Sequence, residues 1–202
     1  SAAFQGRTAR PAPKPAVVKP VPAAAPGVPW TQWGGPKRNF QTDATGIKDG
    51  WPATGPRVVW KRALGEGYSA PVVENGVLYT AYGKPGQEVV IAAQADSGQT
   101  VWERTNPMTF QSDVAREMGN GPYATPLIVG NRLFTTGVAG RLQCLEKSTG
   151  KPIWAQELWA THHGSRLMYG YACSPIAFRD LVIVPVGGPG KALMAFQQSD
   201  GK

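Results

Sequence analysis

The 202-residue sequence predicts an all-β protein assembled from repeated sheets, on three observations. A block ending in tryptophan recurs, Ala-Asp-Ser-Gly-Gln-Thr-Val-Trp at 95–102 and Lys-Ser-Thr-Gly-Lys-Pro-Ile-Trp at 147–154, with the shorter Gln-Ser-Asp-Gly-Lys at 198–202. Its glycines Gly98, Gly150 and Gly201 stand 52 and 51 residues apart. A second signature keeps the same phase: Ser69-Ala70-Pro71, Ala124-Thr125-Pro126 and Cys173-Ser174-Pro175, each preceded by a tyrosine, Tyr68, Tyr123 or Tyr171. Between these landmarks the apolar residues fall in short runs with no helical periodicity. A fixed period near fifty residues is the signature of a repeat architecture.

Each repeat reads as four strands. A short first run follows the Ser/Thr-Pro step (Val72-Val73, Pro126–Val129, Pro175–Phe178) and ends in a tight turn at Glu74-Asn75-Gly76, Gly130-Asn131 or Arg179-Asp180. Gly, Asn and Asp supply the positive φ such hairpins need. Second runs are Val77–Tyr82, Leu133–Thr136 and Leu181–Val186; third runs are Glu88–Ala95, Gly140–Glu146 and Lys191–Gln197. Beyond the recurrent glycine, Gln99–Arg104 and Lys151–Glu157 form fourth strands that carry Trp102 and Trp154. Four short strands per repeat describe the blade of a β-propeller. The two indoles are expected at equivalent places between neighbouring blades, where a narrow sheet needs extra apolar burial.

The blade pattern resembles the tryptophan-docking repeat of pyrroloquinoline-quinone-like (PQQ-like) propellers. Further stretches are similar to bacterial secreted members of that family: Trp30-Thr31-Gln32-Trp33-Gly34-Gly35-Pro36-Lys37-Arg38-Asn39, Trp51-Pro52, Gly55-Pro56-Arg57-Val58-Val59-Trp60, Leu64-Gly65-Glu66-Gly67-Tyr68-Ser69-Ala70-Pro71 and Gly187-Gly188-Pro189-Gly190. The resemblance runs from about Trp30 to Lys202. It implies an all-β, PQQ-like β-propeller fragment of about three four-stranded blades from a ring of seven or eight, less than half of a larger protein. The division that follows is a Pro/Ala-rich basic tail or linker over 1–29 and a partial propeller over 30–202. Its blades span about 65–104, 120–157 and 168–202, and Arg57–Leu64 is an orphan outer strand whose inner partners do not precede it.

Charge and composition narrow the partners. The net charge is +8, yet residues 63–202 carry as many acids as bases, so the excess lies within residues 1–62. A basic, proline-rich tail is a solvated spacer rather than a nucleic-acid surface. No apolar run approaches the ~20 residues of a membrane span. From the family resemblance, the chain is expected in the periplasm or secreted, with other envelope proteins as partners.

Few residues carry recognisable chemistry. Cys144 and Cys173 are expected in apolar packing rather than in a disulfide, and His162-His163 in a solvated loop. If each Tyr-x-x-Pro opens a strand lining the central channel, the loops before them gather at one mouth. That makes Tyr68, Asn120, Tyr123 and Tyr171 the candidate ligand or cofactor residues. No metal ligands are assigned. Two function classes stand. One is a non-catalytic cell-envelope propeller acting as a binding or scaffolding surface, as in the outer-membrane-assembly members of the fold. The other is a PQQ-dependent quinoprotein dehydrogenase oxidising an alcohol or sugar, with PQQ and calcium held by the full-length protein. The adjacent cysteine pair of PQQ-dependent alcohol dehydrogenases is missing from this chain, which favours the first.

Overall fold

The computed structural model describes residues 28–48, 50–110, 119–165 and 168–202. Most of the proline-rich tail thus lies outside the described residues. Eleven strands are present among them, in three antiparallel sheets. The first sheet is β1 (Val72–Glu74), β2 (Val77–Lys84), β3 (Gln87–Gln94) and β4 (Thr100–Pro107), hydrogen-bonded in chain order. The second repeats that order with β5 (Leu127–Val129), β6 (Arg132–Thr136), β7 (Arg141–Glu146) and β8 (Pro152–Glu157). The third holds β9 (Ile176–Phe178), β10 (Leu181–Pro185) and β11 (Leu193–Gln197).

Each sheet begins with a two-residue hairpin loop: Glu74 pairs with Val77, Val129 with Arg132 and Phe178 with Leu181. In the first, Asn75 and Gly76 both have positive φ, at 51° and 75°. That is the turn whose twist matches two antiparallel strands. The sheets then stack. In β3, Val90 and Ala92 join Ile128, Leu133 and Leu145 of the second sheet in one buried cluster. The alternate residues Val89, Ile91 and Ala93 pack with Tyr82 on the opposite face. Burial on both faces explains why β3 is an almost unbroken apolar run rather than an alternating one. Leu142 and Cys144 of β7 likewise turn to Val182, Val184 and Phe196 of the third sheet.

The fourth strands deliver the indoles. Trp102 Nε1 donates to Lys147 O and Trp154 Nε1 to Gln198 O, both at 3.0 Å, so each tryptophan reaches the glycine turn of the following blade. Trp102 lies against Tyr79 and Trp154 against Phe134, with the same 49° between ring planes. A register shift sits beside each indole, at Ala92/Ala93 and Cys144/Leu145, leaving Val101 and Ile153 as the extra residues. Such a bulge bends the strand and re-aims the side chain next to it.

The structure differs from the sequence expectation at two places outside the site. Arg57–Leu64 is not a strand, because no neighbour among the described residues offers it a ladder. Trp60 within it nevertheless docks as the others do, donating from Nε1 to Ala95 O at 3.0 Å. Cys144 is buried beside Trp154 as expected, and burial pushes its thiol up to about 11. Cys173 is exposed instead.

Candidate functional site

The loops that lead into the inner strands, the β2–β3 turn and the end of β4 all meet at one rim of the blades. Glu66 is fixed there through its backbone: its N–H donates to Gly83 O at 3.0 Å, and Gly83 N–H donates to Glu66 O at 2.7 Å. Its carboxylate accepts the Asn120 backbone N–H at 3.2 Å. Tyr68 N–H donates to Pro122 O at 2.9 Å, and the Tyr68 and Tyr123 rings stack at 6.1 Å with 13° between planes. Tyr123 OH donates to Gly119 O.

Three of the four sequence-derived candidates therefore come together: Tyr68, Asn120 and Tyr123. Tyr171 does not. It is 4% exposed within the core between the second and third sheets, where its OH donates to Val186 O at 3.3 Å. Its spacing explains the difference. Tyr68 and Tyr123 stand three residues before their prolines, whereas Tyr171 stands four before Pro175. In extended backbone one added residue sends the side chain to the opposite side. The rim gains two residues that the candidate set lacked, Glu66 and Tyr169. Tyr169 is exposed and close enough to bear on the Tyr123 phenol. Burial first, then the neighbouring Tyr68, Glu66 and Tyr169, hold that phenol above its usual pKa, so it stays a neutral hydrogen-bond donor.

Two clefts flank this rim and share Thr109 and Phe110. One, of about 1030 Å³, is lined by Glu66, Lys84, Met108 and Asn120 among others. The other, of about 580 Å³, is lined by Val138, Trp159 and Tyr171 and by the ion-paired Arg141 and Glu157. Beneath lies Glu88, 5% exposed, whose Oε2 accepts the Val138 N–H of the next blade at 3.1 Å. Burial pushes its carboxyl up to about 7, against the pull of that N–H. His162 is not simply solvated: its Nε2 lies 3.0 Å from Gln156 Oε1 and its ring meets Phe196 edge-on.

The rim offers polar and aromatic contacts. No group of three or more His, Cys, Asp or Glu side chains that could hold a metal occurs among the described residues. The Tyr68 and Tyr123 rings face each other and leave no slot between them for a flat quinone. The residues present do not form a PQQ–calcium cradle.

The sequence profile of the outer membrane protein assembly factor BamB family matches residues 86–202. The chain belongs to this family. The matched span covers β3, β4 and all of the two sheets that follow. Over 90 residues the chain is 32% identical to the outer membrane protein assembly factor BamB of Vibrio cholerae, and over 89 residues 33% identical to that of Aliivibrio fischeri. Each alignment covers 44% of this chain and 22% of the relative, so the chain matches about a fifth of the BamB length. Among solved structures, a europium-containing methanol dehydrogenase superposes with a TM-score of 0.53 at 20% identity, covering 72% of this chain and 26% of that one. At that identity the likeness concerns the fold alone. BamB-family blades and dehydrogenase blades share one architecture.

Proposed function

We propose that this chain is part of a non-catalytic cell-envelope propeller that serves outer membrane protein assembly as a binding or scaffolding surface. The observation that carries the reading is the match to the BamB family over residues 86–202, which holds the whole face between the second and third sheets. The contact surface in this reading is the rim of Tyr68, Tyr123, Tyr169 and Asn120. Tyrosines give a partner protein large, stiff contact area with a hydrogen-bonding tip. The tail over 1–29 acts as a spacer ahead of the blades 30–202, and the protein works in the periplasm beside other envelope proteins.

The test is genetic and quantitative. A strain lacking the full-length gene is expected to show reduced levels of outer membrane β-barrel proteins, restored by the wild-type gene. The Tyr68→Ala/Tyr123→Ala double variant is expected to restore them only in part while accumulating normally. Unchanged outer membrane protein levels in the deletion strain would defeat the assembly reading. Calcium-dependent oxidation of an alcohol or sugar by the PQQ-supplemented full-length protein would install the dehydrogenase reading in its place.

A further inference from the structure

The segment from Trp30 to Arg38 does not lie on an outer surface. It runs across the free edges of the first strands, one blade after another. Trp30 and Val73 exchange two backbone hydrogen bonds, N–H to O in each direction, at 2.8 Å. Ile128 N–H donates to Thr31 O at 2.8 Å. Arg38 Nη2 donates to Ala177 O at 2.9 Å, and Arg38 Nε donates to Gln32 Oε1 at 3.2 Å.

Val73, Ile128 and Ala177 occupy the same step of their strands, opposite Leu78, Leu133 and Val182 on the second strands. Their contacts with the segment therefore lie on the edge away from the second strand. First strands line the channel of a propeller, and β5 and β9 here are the strands through which the second and third sheets approach each other. The segment is also built to hold its shape. Phe40 N–H donates to Gly34 O at 2.9 Å, and Gly35, at φ 77°, lies so close under the Trp30 ring that a Cβ there would meet it at 2.6 Å. Arg38 itself sits at φ 53°, a conformation a non-glycine residue keeps only when its surroundings hold it.

We infer that Trp30–Arg38 is a clasp that closes the channel-side edges of all three first strands and sets their spacing. An exposed strand edge is a template for any extended peptide or hydrogen-bonding ligand. Here the chain occupies that template itself. Partners of these blades then approach on the tyrosine rim or the outer surface, not along the channel wall. The clasp is made by backbone hydrogen bonds at the first two blades and by the Arg38 side chain at the third, whether the protein is a scaffold or an enzyme.

Amide hydrogen exchange on the full-length protein tests it. In the wild type, the Val73 and Ile128 amides are expected to exchange as slowly as ladder amides of β3 and β7; exchange at the rate of free amides would overturn the clasp. In Gly35→Ala, which displaces Trp30, both amides are expected to exchange about tenfold faster together while β3 and β7 keep their protection. Fast exchange at only one of the two would overturn a shared clasp. Arg38→Ala is expected to speed exchange in β9 and leave Val73 unchanged. An unaltered β9 would remove the third blade from the inference. If Gly35→Ala does not fold, the wild-type rates and the Arg38→Ala result decide alone.

Discussion

Glu88 is the residue whose position has the sharpest consequence. It fixes the first blade to the second through Val138, and it shares a small cleft with Asn106, Arg141 and Gln143, whose Oε1 is buried without a partner. Its carboxyl is raised from 4.5 to about 7 by burial. A raised acid favours the protonated folded state. The stability it contributes is fully present below pH 4.5 and is lost as pH climbs to about 7, a difference on the order of 3 kcal/mol at most. Glu88→Gln, neutral at every pH, is expected to be more stable than wild type at pH 8 and close to it at pH 4. Urea midpoints of the full-length protein across that range would check this. A variant that loses stability at pH 8 would show that the ionised carboxylate is needed by the joint. Nothing in the sequence announced Glu88. It looks like a polar residue opening an apolar strand, and its burial depends on a loop fifty residues away. Tyr171, by contrast, was legible in principle, since its four-residue distance to Pro175 departs from the three of Tyr68 and Tyr123.

Among the elements, the glycine turn and the indole it receives form one unit. Gly98, Gly150 and Gly201 have φ of 70°, 70° and 76°, and a Cβ on each would come within 2.5–2.7 Å of Trp60, Trp102 or Trp154. Each glycine is thus needed twice, for a left-handed backbone and for space. Gly150→Ala is expected to destabilise by about 2–4 kcal/mol, combining the αL penalty with overpacking. Trp102→Ala should lose about 3 kcal/mol. Because both changes damage one contact, the double variant should lose less than their sum, which a double-mutant cycle by thermal unfolding would show. Full additivity would mean that glycine and indole act separately. The repeat was readable because residue types at fixed spacing carry this contact. The bulges at Val101 and Ile153 were not, because a bulge changes pairing register without altering the apolar pattern.

For the whole molecule, the stacked sheets differ in how well they are covered. The clusters between blades are closed, and the Trp60 indole together with Gly65 against Tyr82 lies along the far side of the first sheet. The far side of the third sheet is open: Ile176, Phe178 and Leu193 are 38%, 55% and 65% exposed. An isolated 1–202 chain should therefore self-associate or unfold broadly, as a sheet with a bare apolar face and an unpaired edge does. Size-exclusion chromatography with thermal unfolding would check it, a sharp transition from a monomer being the contrary result. The fold was legible because blades repeat. The clasp at Trp30–Arg38 was not, since its bonds are made mainly by backbone groups that every residue type carries.

The docking of each indole on the following blade also imposes an order in time. Trp102 must wait for Lys147, 45 residues later in the chain, and Trp154 for Gln198, 44 residues later. In a chain that folds from its first blade onward, every blade but the newest is locked, and the newest offers one loose indole to the solvent. A chaperone that recognises exposed aromatic side chains would meet this protein at regular intervals, once per blade, always at the growing end.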